Sequence, residues 1–276
     1  FVWEKRFGDN AAVGHGSFGE PRRPTRPSIG RAPSSLHTTA MDYGTFVLAV
    51  LNGTGLNAQT WRAIMAPAIE VAPSIQWGLG WGIERGSAGS SLWHHGDNSN
   101  TGFTAFALLN VRRRCGVVYF ANSVSGLSIA KEVAALIGGT HPSAGWIGYD
   151  RYTAPALVLR RRIGRTLRIS VAAAIAEYRQ LERDRAPGIS EGLLNSAGYL
   201  LLNRGDVTGA ILVFEENVRA YPTSANVYDS LGDAYLAAGR DAAARDAYAR
   251  SVQLDPTNSH ARRLADSLSL VIKKRD

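Results

Sequence analysis

The residues best suited to chemistry lie in one short polar segment, Trp93-His94-His95-Gly96-Asp97-Asn98, inside an otherwise apolar region. Successive side chains of a β-strand point to opposite faces, so His94 and Gly96 share one face, while His95 and Asp97 share the other. His94 is therefore a candidate base or substrate contact. His95 and Asp97 alone offer too few ligands for a zinc site, and we expect no metal. A structural histidine that is held by hydrogen bonds is the alternative.

The elements that must position this segment form an α+β pattern. Short apolar runs separated by turn residues predict an antiparallel meander. Its predicted strands are 77–83, 91–95, 103–109 and 116–122. Two helices precede the strands: Thr39 and Asp42 form a capping box for the first, and the second follows Asn57. A helix over 125–136, ended by Gly138-Gly139, follows the strands.

A second pattern near the C-terminus repeats at a spacing of 34 residues. The matched pairs are Leu194 and Tyr228, Ala197 and Leu231, Gly198 and Gly232, Leu201 and Tyr235, Ala210 and Ala244, Phe214 and Tyr248, Pro222 and Pro256. The pattern resembles the tetratricopeptide repeat, a pair of helices with small residues where they cross. The resemblance implies that the aromatic residues fill the grooves between helices, and that Gly205 and Gly239 form the turns.

Helices on both sides of the repeats would cover their ends. We expect one over 172–185 and another from Ser259 to Lys274, because about three repeating units are needed to bury the end faces. Such repeats bind a protein or peptide partner in a concave face, or serve as a structural appendage or dimer contact. The sequence leaves both readings open.

Composition excludes several classes of protein. Hydrophobic residues make up 45% and charged residues 20%, which is typical of a globular chain, and Cys115 is the single cysteine. The net charge of +8 arises mainly in a linker at 143–171. The basic residues that define this linker are Arg160, Arg161, Arg162, Arg165 and Arg168. No nucleic-acid-binding motif accompanies them, so we expect a basic connector, with a contact to anionic membrane as the less favoured reading.

A nucleotide cofactor is not expected. Residues 14–19 match the letters of G-x-G-x-x-G, but that motif must open a helix. The following Glu20-Pro21-Arg22-Arg23-Pro24 cannot do so, because proline interrupts helices. We therefore expect no organic cofactor.

Several motifs in residues 1–142 resemble the C-terminal part of the serine β-lactamase-like hydrolases, which include class C β-lactamases, DD-peptidases and related esterases. They are Ser34-Ser35-Leu36-His37-Thr38-Thr39, Trp77-Gly78-Leu79-Gly80-Trp81, His94-His95-Gly96, Thr101-Gly102-Phe103 and Tyr119-Phe120-Ala121-Asn122. The resemblance implies acyl transfer on a small ester, amide or peptide substrate. By this resemblance His94 faces nucleophile and substrate, Gly96 lets the substrate approach, and the Asp97 backbone N–H is an oxyanion donor.

The family's other two motifs are not found where they are needed. No tyrosine starts a Tyr-x-Asn, and Ser128-Ile129-Ala130-Lys131 matches Ser-x-x-Lys but comes after His94 and in the family's closing helix. Because the chain starts at Phe1 rather than Met, we expect a piece of a longer parent hydrolase that is inactive by itself. The family resemblance favours a periplasmic or secreted location.

The sequence thus predicts a partial β-lactamase-like α+β domain at 1–142, an Arg-rich linker at 143–171, and an all-α repeat domain at 172–276. The alternative is a non-catalytic binding module, in which the repeats act and the hydrolase remnant is inert. Catalytic motifs upstream in the same gene would favour the first reading, and their absence the second.

Overall fold

The computed structural model describes residues 2–32 and 34–273. The chain divides into two compact units, Phe1–Ala154 and Pro155–Asp276, and the division falls inside the predicted linker. Lys274 and the last two residues of the predicted repeat domain lie outside the described residues. No helix in the described part of the chain is long and apolar enough to cross a membrane.

The first unit contains a six-stranded sheet in which every strand pairs with its neighbours in chain order. All pairs are antiparallel, which confirms the predicted meander. The strands are β1 (Ile69–Ala72), β2 (Ile75–Trp77), β3 (Gly82–Gly86), β4 (Gly89–Asn98), β5 (Phe103–Asn110) and β6 (Cys115–Ala121). The predicted strand 77–83 is wrong in detail: Gly80 adopts a φ of 79° and separates the end of β2 from the start of β3.

Two helices precede the sheet, as predicted. In α1 (Ala40–Asn52), the Thr39 hydroxyl accepts a hydrogen bond from the Asp42 N–H at 3.1 Å and donates one to the Asp42 carboxylate at 2.8 Å. Gly53 ends this helix with a φ of 69°. In α2 (Ala58–Met65), the Asn57 side chain accepts from the Thr60 N–H at 2.8 Å. Local capping chemistry therefore sets both starts.

The sheet separates two hydrophobic cores. One face packs on α1, mainly through Val47, Leu51 and Leu92. The other face, centred on Trp93 and Phe106, is covered by a 3₁₀ turn (Gly126–Ile129) and the short helix α3 (Ala130–Ala135). These two elements replace the single helix predicted over 125–136. Since Leu92 and Trp93 are neighbours on β4, that strand supplies both cores.

A buried carboxylate fastens the segment after α3 to the sheet. Glu84 of β3 is fully buried and accepts hydrogen bonds from the His141 ring and from the Ser143 N–H, both at 2.8 Å. Ser143 lies in the first turn of α4 (Pro142–Trp146), which packs at the end of the second core. A buried carboxylate requires such partners, because burial without them is strongly unfavourable.

The linker predicted over 143–171 contains two helices rather than an irregular connector. Its second helix, α5 (Pro155–Leu167), buries Leu159, Ile163 and Gly164. It packs against α6 (Val171–Arg183), for which Ser170 is the N-cap, as an extra helix pair. Leu159 and Gly164 precede Leu193 and Gly198 by the repeat spacing of 34 residues, but the arginines obscured this apolar face in the sequence.

The predicted repeats form two further helix pairs and a final helix. They are α7 (Glu191–Asn203), α8 (Val207–Ala220), α9 (Ala225–Ala237), α10 (Asp241–Leu254) and α11 (Ser259–Lys273). The predicted crossings are confirmed by close contact. A Cβ added at Gly198 would lie 2.5 Å from the Phe214 ring, and one at Gly232 would lie 2.6 Å from the Tyr248 ring.

An ion-pair network joins successive pairs of this unit. The side chain of Glu216 on α8 is only 3% exposed and receives hydrogen bonds from Arg179 on α6 at 2.7 and 3.0 Å and from Arg219 at 2.8 Å. Burial alone would raise the pKa of Glu216, but the hydrogen bonds and charges of the two arginines outweigh it and lower the pKa. Glu216 is therefore charged at neutral pH, and this favours the α6–α8 contact.

Adding one methyl group at a helix crossing tests this packing. We expect Gly232→Ala to destabilise the second unit by about 1–3 kcal/mol, because overpacking against Tyr248 outweighs the gain in helix propensity. Gly192→Ala on α7 is the matched control, since its added Cβ meets only the Ser190 hydroxyl at 3.8 Å. Hydrogen exchange of α7–α10 should accelerate in the first variant and not in the control. Equal protection in both variants would contradict this packing.

Candidate functional site

The His94 side chain lies on the face of the sheet that packs on α1. Its ring centroid is 5.8 Å from that of Trp77 and 6.3 Å from that of Trp81, and both contacts are edge-to-face. Trp81 in turn stacks on Phe46 of α1. His94 is half-buried in this aromatic surround, which limits its rotation and leaves part of the ring open to solvent.

The His95 and Asp97 side chains lie on the opposite face, as the strand alternation predicts. His95 stacks on Trp93 with ring centroids 5.8 Å apart. The Tyr149 hydroxyl donates a hydrogen bond to the Asp97 carboxylate. This contact and burial raise the pKa of Tyr149 to about 12, with burial the larger cause. The two histidines therefore face different surroundings, and no cluster of three metal-ligating side chains occurs among the described residues.

One edge of β4 is left open beside His94. Strand β3 pairs with β4 only as far as Gly82 and Trp93, so residues 94–98 pair with β5 alone among the described strands. Hydrogen bonds toward the β5 side reach the carbonyl groups of Ser90 and Asn98. Because backbone groups alternate along an antiparallel strand, those of His95 and Asp97 point to the open edge. The edge thus presents the Asp97 N–H, which is the predicted oxyanion donor.

Gly96 leaves free space on the His94 side. A Cβ added there would meet only the Ala105 Cβ, at 3.8 Å. By contrast, Ser128 is buried beside Leu127 and Ala130, on the face of the sheet opposite His94. The structure therefore brings His94, Gly96 and the Asp97 N–H to one place and leaves the Ser128–Lys131 match away from it.

Both histidines are tuned toward the neutral form. Burial lowers the pKa of His94 below 6.5, although a hydrogen bond to the His95 backbone acts in the opposite direction. Burial and the charge of His94 lower the pKa of His95, against the opposing effect of Asp97. A neutral His94 at pH 7 can accept a proton, as a general base must.

A second candidate surface lies in the repeats, along the first helices of successive pairs. The Asp233 carboxylate on α9 accepts hydrogen bonds from the hydroxyl groups of Tyr199 on α7 and Tyr248 on α10, both at 2.7 Å. The His260 ring on α11 is 3.6 Å from the same carboxylate. These contacts place α7, α9 and α11 side by side.

Leucines follow this polar row at the repeat spacing. Leu236 is 37% exposed and Leu270 is 63% exposed, while Leu202 is half-buried. Each lies near the C-terminal end of its helix, on α9, α11 and α7 respectively. We call Tyr199, Leu202, Asp233, Leu236, His260 and Leu270 the first-helix surface. The sequence analysis missed it, although the spacing of 34 between the leucines was a usable signal.

Comparison with known proteins supports the repeats. Residues 225–258 match the family model described as "Tetratricopeptide repeat". A matching solved structure is "First TPR of Spaghetti (RPAP3) bound to HSP90 peptide SRMEEVD", at 19% identity and a TM-score of 0.33, covering 43% of this chain and 94% of that one. No curated protein matches the chain. The family match names a repeat and not an enzyme, so the hydrolase interpretation of residues 1–142 stays a prediction.

The lowered histidine pKa values have a consequence for stability. Below about pH 6.5 the unfolded chain binds more protons at His94 and His95 than the folded unit does, so the free energy of unfolding falls as the pH decreases through that value. All 6 tryptophans lie in the first unit, so their fluorescence reports its urea unfolding. We expect the double variant His94→Gln, His95→Gln to lose part of the decrease between about pH 7.5 and about pH 5.

The matched control for this measurement is His37→Gln, which changes an exposed histidine of the same unit. It should keep the pH dependence of the unsubstituted protein. A double variant with an unchanged slope would show that His94 and His95 do not titrate differently in the folded and unfolded states.

Proposed function

We propose that this protein is a protein-interaction module whose repeats bind a peptide or protein segment on the first-helix surface. The observation that carries the proposal is the continuous row of exposed leucines beside a polar row across three neighbouring helices. Stacked helical repeats characteristically present such extended surfaces to partners. The family match at 225–258 supports the same assignment.

The chemistry of the surface indicates how a partner is held. Exposed Leu236 and Leu270 offer apolar area to one or two anchor side chains. The Asp233 carboxylate is held by two tyrosine hydroxyls, so its position is fixed before a partner arrives. A preorganised surface loses little conformational freedom on binding, which favours affinity.

Placing a charge in the leucine row tests this proposal. Peptides are selected from a phage-displayed library on the whole chain, and their affinities are measured for two variants. Leu236→Glu should weaken binding about 10-fold or more, because a carboxylate replaces apolar contact area. Leu212→Glu is the matched control, since Leu212 is similarly exposed (46%) but lies on α8, a second helix. We expect the control to bind nearly as well as the unsubstituted chain.

Two results would contradict the proposal. One is a selection that yields no peptide with saturable binding. The other is equal loss of binding in the Leu236 and Leu212 variants, which would place the contact elsewhere. Circular dichroism of each variant checks that the helices remain intact.

A second candidate function rests on the open edge of β4. In this reading the first unit supplies one wall of a β-lactamase-like acyl-transfer site, with His94 toward the substrate and the Asp97 N–H as an oxyanion donor. The specific support is their shared location beside Gly96, where the backbone is unpaired on one side. The described residues offer no activated serine at this place, so the nucleophile and the relay tyrosine must come from outside residues 1–276.

The reading frame that encodes this chain gives the first test of the second candidate. It should contain a Ser-x-x-Lys and then a Tyr-x-Asn in frame upstream of the Phe1 codon. The product of that whole frame should hydrolyse a chromogenic ester, and Asp97→Pro should lower kcat about 10²–10³-fold by removing the N–H. Asp97→Ala keeps the donor and should retain most activity. A frame without these motifs, or equal activity of the two variants, would exclude this function.

A further inference from the structure

A cavity of about 400 Å³ lies in the first unit between the N-terminal segment and the turn after β4. Its walls come from residues 25–35 and 98–101. A neighbouring cavity of about 440 Å³ shares Arg31 and Ser35 with it. Both volumes fall in the range of small-molecule sites, roughly 300–1,000 Å³. Neither the repeats nor the β4 edge uses this space.

The lining of the larger-walled cavity, which we call the arginine cavity, favours an anion. Arg26 and Arg31 contribute guanidinium groups, and Asn98 and Asn100 contribute amide groups. The remaining polar residues of the lining carry hydroxyl groups, and no aspartate or glutamate is among them. Within the described residues, neither Arg26 nor Arg31 forms an ion pair. Guanidinium groups without a carboxylate partner attract carboxylate or phosphate oxygens, which they bind in a bidentate manner.

Local contacts hold these groups in place. The Arg26 guanidinium lies over the Trp3 ring, 5.9 Å from its centroid. The buried Ser35 hydroxyl accepts from the Arg31 N–H at 2.6 Å and donates to the Arg31 carbonyl at 2.8 Å, which fixes the backbone at Arg31. Across the cavity, the Asn98 carbonyl accepts from the N–H groups of Thr101 and Gly102, both at 2.9 Å. The turn that carries Asn98 and Asn100 is therefore ordered.

We propose that the arginine cavity binds a small organic anion through a carboxylate or phosphate group. Arg26 and Arg31 neutralise the charge, and the Asn98 and Asn100 amides donate to the remaining oxygens. Asn98 follows His94 by four residues on the same face of β4, about 13 Å along the strand. The ligand therefore occupies a place separate from the His94 ring, and the proposal does not depend on the function of the repeats.

Titration calorimetry of the whole chain at low ionic strength tests the proposal. The probes are glutarate for a carboxylate, inorganic phosphate for a phosphate, and glutaramide as a neutral analogue of glutarate. We expect saturable binding of glutarate or phosphate, and the tighter of the two identifies the preferred group. Arg31→Gln and Arg26→Gln should each weaken that binding about 10-fold or more, because each removes a charge-assisted hydrogen-bond donor.

Arg23→Gln is the matched control, since Arg23 is an exposed arginine of the same segment that does not line the cavity. It should change the affinity less than about 2-fold, because an exposed charge is largely screened by solvent. Tryptophan fluorescence during urea unfolding verifies that each variant keeps its fold. Arg31→Lys offers a milder change that keeps the charge and should give an intermediate affinity.

Three results would overturn the proposal. The first is the absence of saturable binding for both glutarate and phosphate. The second is an equal loss of affinity in Arg23→Gln and Arg31→Gln, which would indicate unspecific attraction by a basic segment. The third is glutaramide binding as tightly as glutarate, which would show that the charge of the ligand has no role.

Discussion

The contact between a glycine and an aromatic ring at each helix crossing is the constraint on which the second unit depends. At Gly198 and Gly232, the space of a side chain is occupied by the ring of Phe214 or Tyr248. Helices that approach so closely can stack in only one register, because a shift would bring a side chain against the ring. This register fixes the distance between α7 and α9, and hence the surface that they share.

The polar contacts of the second unit follow from that register. Tyr248 fills the crossing with its ring and reaches Asp233 with its hydroxyl, so one side chain both packs the core and orders the surface. Tyr199 reaches the same carboxylate from the neighbouring pair. Burial and the hydrogen bond to Asp233 raise the pKa of Tyr199 and of Tyr248, with burial the larger cause. Both hydroxyls therefore remain protonated donors at any ordinary pH.

Strand β4 has the corresponding role in the first unit. Its residues alternate between two cores, so Leu92 packs toward α1 and Trp93 packs toward α3. The strand is longer than β3, and the part that extends beyond β3 carries His94, Gly96 and Asp97. An edge with unpaired backbone groups is a natural site for another molecule to add hydrogen bonds. The unit thus combines a rigid centre with an exposed end where its polar residues lie.

Much of this architecture was predictable because the signals are local. Capping by Thr39 and Asn57, turns at Gly53 and Gly239, and the alternation that separates His94 from His95 each depend on residues close together in the chain. The strand β1 was missed, since it is a short edge strand with mostly exposed residues and little periodicity. The helix α5 was missed because its arginines suggested a connector, although Leu159, Ile163 and Gly164 marked a buried face.

The sequence by itself determined the meander, the repeat period and the division of β4 into two faces, because spacing along the chain encodes all three. Only the tertiary structure decided where β3 stops beside β4, that Asp233 gathers side chains from α7 and α10, and that Arg26 and Arg31 share a cavity with Asn98. These features join residues far apart in the chain. Their distances depend on how whole elements pack, and no local pattern of residue types contains that information.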